Sequence, residues 1–383
     1  MKNVVVLGCT GSIGDSTFKV LENLGSGYRV IGLSAGANTK KLIELIEHWQ
    51  PQCVCVPTAE QAREVAAVMQ KGEVLVGEDG LCALATLPAA DLVINGLVGA
   101  VGLVPTMKAL EAGKVVAMAN KEPLVMAGGL ILEAARRGGG EILPLDSEPN
   151  AIWQCLKGEP REGLARVILT ASGGPFFGLQ RAQMQEISPD EALNHPTWKM
   201  GPKITVDSAT LMNKGFEVIE AAWLFGVGID QVDVIVHRQS VVHSLVEFVD
   251  GSMLAHMGKT DMLLPIQYAL THPQRQAAPL GRLDLAAVGQ LSFAEPDCEN
   301  FPCLPLCYEA GRAGGTSPAA LNAANEVAVA CFLQGRIRFL DIAALNSAML
   351  AAHVQRSADD LASILQVDAE VRRAAVAWVE SRA

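Results

Sequence analysis

Val4-Val5-Val6-Leu7 is a short, wholly apolar run that breaks on Gly8-Cys9-Thr10-Gly11-Ser12-Ile13-Gly14 and resumes as a helical pattern carrying Phe18, Val20, Leu21 and Leu24. A buried strand, a glycine turn and a helix in that order commit the start of the chain to a parallel α/β sheet. Glycines after a first strand let the backbone approach a diphosphate, whose charge the exposed N–H groups of the next helix favour. The spacing is G-x-x-G-x-x-G, not G-x-G-x-x-G, so a tight turn without a ligand is the competing reading. The second strand, 29–33, ends in Ser34-Ala35-Gly36-Ala37-Asn38, and Lys40 and Lys41 follow. An acidic residue there would grip a ribose 2′-hydroxyl and repel a 2′-phosphate; its absence favours NADP over NAD.

More alternating units follow, with strands at 53–56, 92–95 and 115–118 and a helix over 105–111. Ala119-Asn120-Lys121-Glu122 closes the last of these strands. Ligands of open parallel sheets bind at the carboxyl ends of strands, so Asn120, Lys121 and Glu122 are candidate cofactor or substrate contacts. A helix-capping Asn beside a surface ion pair is the alternative.

Two polar clusters stand out from this apolar background. Val206-Asp207-Ser208-Ala209-Thr210-Leu211-Met212-Asn213-Lys214-Gly215-Phe216-Glu217 runs into the helical pattern of 218–225. A helix starting near Leu211 puts Asn213 and Glu217 on one face with Lys214 beside them, so an amide, an ammonium and a carboxylate converge. In Leu145-Asp146-Ser147-Glu148 the two carboxylates alternate after an apolar strand, which places both on one side of its extended end. A solvated helix start with an ordinary Lys/Glu pair is the bland alternative for the first cluster.

From about residue 146 the texture changes. The strand 168–171 runs into Ser172-Gly173-Gly174-Pro175, and a polar, strand-poor segment extends to Pro202. His195-Pro196-Thr197-Trp198 lies in it, and a large aromatic on a long loop can cover a ligand or simply anchor packing. Strands return at 233–237 and 241–248, with an Asp250-Gly251 hairpin to 253–256. Thr316-Ser317-Pro318 reads as an N-cap with proline in the first turn, opening three or four helices to the end of the chain. Residues around 272–315, rich in Pro and Gly, read as a structure-poor connection.

The 383 residues allow two or three domains with ample core. A net charge of −11 argues against nucleic acid or an anionic membrane as partner. The longest apolar stretch, 92–107, is interrupted and too short to span a bilayer. With the first strand at Asn3 there is no room for a signal peptide, so a cytoplasmic location is expected. Nine cysteines without a paired C-x-x-C motif agree with a reducing compartment. Cys53 and Cys55 on one strand face, and Cys298, Cys303 and Cys307, lack partners for a soft-metal site and read as buried or incidental thiols.

Taken in order, Gly8 to Gly14, Ala119-Asn120-Lys121-Glu122, Pro144-Leu145-Asp146-Ser147-Glu148, Ser172-Gly173-Gly174-Pro175, His195-Pro196-Thr197-Trp198-Lys199-Met200-Gly201, the 206–217 stretch and Asn322-Ala323-Ala324-Asn325-Glu326 resemble the 1-deoxy-D-xylulose 5-phosphate reductoisomerases over essentially the whole chain. The resemblance implies a Rossmann-like NADP-binding domain (1–145), a central α/β catalytic domain with a flap loop (146–271), a linker (272–315) and a C-terminal helical bundle (316–383). It implies an NADPH-dependent enzyme of the non-mevalonate isoprenoid pathway. Such an enzyme rearranges 1-deoxy-D-xylulose 5-phosphate and reduces the product to 2-C-methyl-D-erythritol 4-phosphate with Mg²⁺, Mn²⁺ or Co²⁺, and it is a homodimer. By the same resemblance Asp146, Glu148 and Glu217 bind the metal and, with Lys214, carry the catalysis. Ser147, Ser172, His195, Trp198, Ser208, Asn213 and Lys214 line the substrate, with Trp198 on a closing flap and His243 nearby. Thr10, Gly11, Ser12, Ile13, Gly36, Ala37, Asn38, Asn120, Lys121, Glu122 and Gly201 contact the cofactor. The chain departs from the family pattern at Pro149 (often His), Thr260 (usually Pro), Leu263 (usually Arg) and Ala37 (often basic). Another Rossmann-type NADP-dependent oxidoreductase would share the glycine turn but need no carboxylate set. A non-catalytic nucleotide-binding regulator would bind NADPH without metal-dependent turnover.

Overall fold

Short apolar runs without polar alternation, such as 4–7 and 53–56, belong in a sheet covered on both faces, and both lie fully buried in a seven-stranded one. In the computed structural model, which describes residues 1–69 and 71–382, the strands are β1 (Lys2–Leu7), β2 (Tyr28–Ser34), β3 (Cys53–Val56), β4 (Glu73–Val76), β5 (Leu92–Asn95), β6 (Val115–Met118) and β7 (Glu141–Pro144). Their order is β4-β3-β2-β1-β5-β6-β7, and every pairing is parallel. The direction of winding reverses between β1 and β5, which opens a crevice at the carboxyl ends of those two strands. Gly8 and Gly96 stand there. A Cβ on Gly8, whose φ is +75°, would lie 2.5 Å from the Gly96 carbonyl oxygen, so only glycine lets the two strand ends approach.

This sheet belongs to the first of two compact units, made of Met1–Pro123, Ile131–Ser147 and Met262–Gly281. The last segment, expected with the central domain and linker, instead belongs to the unit built on this sheet. Its helix Leu263–Thr271 receives hydrogen bonds at the Leu270 carbonyl from Tyr28 Oη (2.9 Å) and Lys2 Nζ (3.3 Å). Leu263, in place of the usual arginine, opens that helix.

The second unit comprises Leu124–Leu130, Glu148–Asp261 and Arg282–Ala383. Its sheet has the order β11-β10-β8-β9, with β8 (Leu164–Ala171), β9 (Val232–Val236), β10 (Val242–Phe248) and β11 (Met253–Met257). The β10–β11 hairpin turns at Asp250-Gly251 as its sequence predicts. One face of the unit's core is made by the helix Met212–Phe225, and Val218, Ala221, Val234, Val246, Ala320 and Phe332 share one apolar cluster. Three helices, Ser317–Leu333, Phe339–Ala352 and Leu361–Glu380, complete the C-terminal part. Ser317–Leu333 buries most of its circumference, as a helix apolar on nearly all sides must.

The 272–315 connection contains an eleven-residue helix, Cys303–Ala313, whose Cys303, Leu304, Cys307 and Ala310 are buried; proline at its start and glycine at its end mark helix boundaries, not absence of structure. Thr316 precedes the next helix, but its hydroxyl does not cap it. The Oγ1 lies 3.0 Å from His353 Nε2 and accepts from the Arg356 N–H. Cys53, Cys55, Cys303 and Cys307 are buried free thiols, as read from sequence, and Cys298 is exposed. Among the described residues no helix is long and apolar enough to cross a membrane.

The helices Met212–Phe225 and Cys303–Ala313 touch at Gly215, where a Cβ would stand 2.4 Å from Cys307 Sγ. Gly215→Ala is therefore expected to lower stability by about 1–3 kcal/mol through overpacking. Urea denaturation checks it; an unchanged midpoint would mean that the helices can part without cost.

Candidate active site

The glycine turn after β1 is held from beneath. Ser34, at the end of β2, is 1% exposed; its hydroxyl accepts from the Gly8 N–H at 3.0 Å, and its carbonyl accepts from the Cys9 N–H at 2.8 Å. Ser34 thus braces the turn and does not face outward as a phosphate donor would. Gly11 precedes the helix Ser12–Leu24 with no side chain capping its first N–H groups, which leaves them facing outward beside exposed Gly11 and Ser12. Gly14 is fixed by packing, because a Cβ there would fall 2.0 Å from the Cys9 carbonyl oxygen. Gly36, Ala37 and Asn38 are exposed at the end of β2, and the Asn38 side chain accepts from the Lys41 N–H. Lys41 itself is engaged with Asp15 at 2.6 Å and with the Thr10 carbonyl at 3.1 Å, so its ammonium sits beside the glycine turn.

Asn120, Lys121 and Glu122 are all buried, which rules out a surface ion pair. The Asn120 amide donates to the Gly99 carbonyl and to Glu122, while its Oδ1 is buried without a hydrogen-bond partner. An orphaned acceptor at the carboxyl end of β6 fits an incoming donor such as a cofactor amide. Lys121 pairs with Asp146. Gly201 lies in the second unit, ahead of the helix Pro202–Ala209.

The chain leaves the first sheet at Pro144, and Asp146-Ser147-Glu148 follows directly. The two carboxylates do not alternate along an extended stretch as their spacing predicts: a helix, Ser147–Cys155, starts between them, so Glu148 lies in its first turn. A carboxylate there is favoured by the helix dipole, and the turn still folds it back toward Asp146. One carboxylate oxygen each from Asp146, Glu148 and Glu217 lies within 4.8 Å of the others. Buried Lys214 reaches Glu148 Oε1 at 2.8 Å and also pairs with Glu217, which is 0% exposed. Burial opposes the ammonium charge, but the fields of Glu148 and Glu217 outweigh it and hold the Lys214 pKa above its usual value. Asn213 Nδ2 donates to Glu217 Oε1 at 2.7 Å. Three hard oxygen donors gathered so closely fit a divalent cation such as Mg²⁺.

A second constellation gathers on His195. Its Nε2 stands 2.9 Å from Ser172 Oγ and 3.1 Å from Ser208 Oγ, while Nδ1 accepts from the N–H groups of Thr197 (3.2 Å) and Trp198 (2.9 Å). Two backbone donors on Nδ1 leave the proton on Nε2, facing the serines. Burial first, then the nearby charge of Arg238, lowers the His195 pKa to about 4, so the ring is neutral at pH 7. Trp198 is half-buried on the same segment. His243 is 7% exposed, with its pKa lowered by burial although the charge of Glu148 pulls the other way. Ser147 is buried, and its N–H donates to Asp146 Oδ1.

The residues that support these groups carry no motif of their own in the sequence. Asp207, 1% exposed, pairs with Lys203 at 2.7 Å and accepts from Asn325 Nδ2 at 2.8 Å; Asn346 in turn donates to Asn325 Oδ1. Arg238 Nη1 donates to the Ser172 and Gly174 carbonyls. The available signal was a polar residue interrupting an apolar helix or strand pattern, as Asn325 does among alanines. Of the departures, Pro149 is buried in the helix that carries Glu148, and Thr260 donates to the Ser240 carbonyl at 3.0 Å.

A doubly wound parallel sheet with a glycine turn at its switch point, together with a carboxylate cluster suited to a hard cation, defines a metal-assisted dinucleotide-dependent oxidoreductase. Residues 4–128 match the family described as 1-deoxy-D-xylulose 5-phosphate reductoisomerase, residues 142–225 its C-terminal domain, and residues 257–374 the DXP reductoisomerase C-terminal domain. The 1-deoxy-D-xylulose 5-phosphate reductoisomerase of Heliobacterium modesticaldum is 50% identical over 97% of this chain and 96% of its own length. That of Pseudomonas savastanoi pv. phaseolicola is 48% identical over 100% and 99%. A crystal structure of DOX-P reductoisomerase in complex with NADPH, fosmidomycin and magnesium superposes with a TM-score of 0.95 at 40% identity, covering 99% of this chain and 98% of that one. The Zymomonas mobilis enzyme in complex with NADPH gives 0.92 at 40% identity, covering 99% of each. The chain belongs to the 1-deoxy-D-xylulose 5-phosphate reductoisomerase family.

Lys214→Gln would leave buried Glu217 and its neighbour Glu148 without their ammonium, and removing one partner of a buried pair costs about 3–5 kcal/mol. The expected outcome is a lower Tm in chelator, partly restored by added Mg²⁺. A variant as stable as the wild type in chelator would show that Lys214 does not neutralise the cluster.

Proposed function

We propose that the chain catalyses the NADPH- and divalent-cation-dependent rearrangement and reduction of 1-deoxy-D-xylulose 5-phosphate to 2-C-methyl-D-erythritol 4-phosphate, in the non-mevalonate isoprenoid pathway. The observation that carries the reading is the convergence of Asp146, Glu148 and Glu217, within a family whose solved members hold magnesium and NADPH. A glycine turn alone would serve many dehydrogenases; three gathered carboxylates with a buried lysine serve metal-assisted chemistry on vicinal oxygens.

Asp146, Glu148 and Glu217 would hold Mg²⁺, or Mn²⁺ or Co²⁺, and Thr10 to Ile13, Gly36 to Asn38, Asn120 to Glu122 and Gly201 would hold NADPH. When bound, the cation supplies Lewis-acid polarisation of the substrate oxygens, and the nicotinamide supplies the hydride. The remaining work falls to the chain's own groups. Lys214 neutralises the carboxylates until substrate arrives, and its ammonium and the Asn213 amide stand ready to hold substrate oxygens. Ser172, Ser208 and the Nε2–H of His195 present hydroxyl and imidazole donors to the phosphate, and Ser147 lies beside Asp146. Trp198 is carried on the segment that wraps His195 Nδ1, so closing this flap excludes water and fixes the imidazole in one movement.

The proposal extends to a cytoplasmic homodimer. Nine free thiols suit a reducing compartment. The edge strand β11, with Met253 and Leu254 49% and 43% exposed, offers a surface for a second copy.

Glu217→Gln keeps the size of the side chain but removes one anionic ligand, a contact worth about 1.5–3 kcal/mol, so turnover should fall more than tenfold with the fold intact. NADPH oxidation with 1-deoxy-D-xylulose 5-phosphate, with and without chelator, tests both the activity and this role. Wild-type turnover in chelator would sink the metal-dependent reading. At the other site, Ala37→Lys would place a cation beside the position expected for the 2′-phosphate and should raise the preference for NADPH over NADH. With Ser34 turned inward, the 2′-phosphate falls to Asn38, backbone donors and Lys40 or Lys41. A wild type that prefers NADH, or an unchanged ratio of efficiencies in Ala37→Lys, would refute this assignment.

A further inference from the structure

We infer that Arg238 is a positioning residue for the anionic end of the substrate: its guanidinium fixes the Ser172-Gly173-Gly174 turn and so the placement of the Ser172 hydroxyl against His195. The inference rests on the function proposed above. Arg238 follows β9 by two residues, and its Nη1 donates to the carbonyl of Ser172 at 2.8 Å and to that of Gly174 at 2.6 Å. Both hydrogens of one nitrogen are thereby spent on the residues flanking Gly173. The guanidinium also lies 5.2 Å from the centre of the Phe177 ring, which locks its plane.

The turn needs such a clamp. Gly173 and Gly174 both have positive φ, +76° and +65°, and two glycines in succession are the most permissive backbone a chain offers. A Cβ at Gly174 would lie 2.8 Å from the Ser208 carbonyl oxygen, so the turn abuts the backbone that carries the second serine. A small rotation of the turn would therefore change the Ser172–Ser208 spacing, and both hydroxyls share His195 Nε2. Lysine cannot replace this geometry, because an ammonium is a point donor without a fixed plane.

The same side chain acts through space. After burial, the charge of Arg238 is what lowers the His195 pKa to about 4. A neutral imidazole keeps Nε2–H as a donor and Nδ1 as the acceptor that holds the flap, while the positive charge that attracts a phosphate resides on Arg238.

Arg238→Gln and Arg238→Lys separate the two actions. In Arg238→Gln the KM for 1-deoxy-D-xylulose 5-phosphate should rise about tenfold or more, the scale of one lost charge-assisted contact, with kcat and the NADPH dissociation constant near wild type. The His195 imidazole, followed by NMR, should titrate above about 4. Arg238→Lys should raise KM as well, since the clamp is lost, but leave the His195 midpoint in place, since the charge remains. Unchanged KM and unchanged His195 titration in Arg238→Gln would overturn the inference, as would a parallel loss of NADPH affinity, which a merely structural role predicts. Should Arg238→Gln not fold, a wild-type KM in Arg238→Lys would overturn it. The NMR arm needs no turnover, so a wild type inactive on this substrate would refute the proposed function, while an unchanged His195 titration in Arg238→Gln would by itself overturn the role of Arg238.

Discussion

Glu217 is 0% exposed in the second turn of a helix, and a carboxylate in that position is tolerable only with a cation against it. Lys214, three residues earlier, is that cation, and it reaches Glu148 as well. Much of the local backbone follows from bringing these groups together. Two helices, Pro202–Ala209 and Met212–Phe225, meet at Leu211, a buried residue with φ of +62°. A left-handed conformation on a branched residue costs on the order of 1–3 kcal/mol, and it persists where the surroundings over-determine it. Here Asp207, bonded to Lys203 and Asn325, holds the helix before the kink. Gly215 lets the helix after it sit against Cys307. The kink lets Ser208 end one helix beside His195 while Asn213, Lys214 and Glu217 begin the next.

The nucleotide-type unit shows the same economy with glycine in place of charge. Gly8 and Gly96 let β1 and β5 end close together, Gly14 lets the helix start press on Cys9, and Ser34 ties the turn to the neighbouring strand. None of these groups is left over for a ligand, which is why the first N–H groups of the helix Ser12–Leu24 become the feature that a diphosphate would meet.

The strands at 4–7, 29–33, 53–56, 92–95 and 115–118 were legible because short apolar runs are bounded by turn residues, whereas Glu73–Val76, half-exposed and without that contrast, was not, and no local pattern encodes the strand order. The 206–217 cluster was legible because helical spacing converts directly into neighbours. Asp146 and Glu148 were read as alternating on an extended chain, and they converge for a different reason, since a helix begins between them. Neither Pro149 nor Ser147 forbids that start, and serine and proline in a first turn even favour it. The segment 262–281 could not be placed, because the hydrogen bonds that assign it run to Tyr28 and Lys2, more than 200 positions away. Ser34 ends a strand beside the candidate phosphate site yet turns inward to the Gly8 N–H, a choice that no local pattern encodes.

The C-terminal helices would look like a passive cover if judged by composition alone. Asn325 argues otherwise: it stands on the apolar helix Ser317–Leu333, receives a bond from Asn346 and gives one to Asp207, so two C-terminal helices meet in a single buried amide pair directed at the residue before Ser208. Buried amides are retained where every donor finds an acceptor, and such pairs fix register more than they add stability. The register set here is that of Pro202–Ala209 against the bundle, and Ser208 shares His195 with Ser172. The Arg238 clamp holds the turn that carries the partner serine. The hydroxyl pair that faces the imidazole is thus positioned by two independent supports, one through the helical bundle and one through the β9–β10 connection.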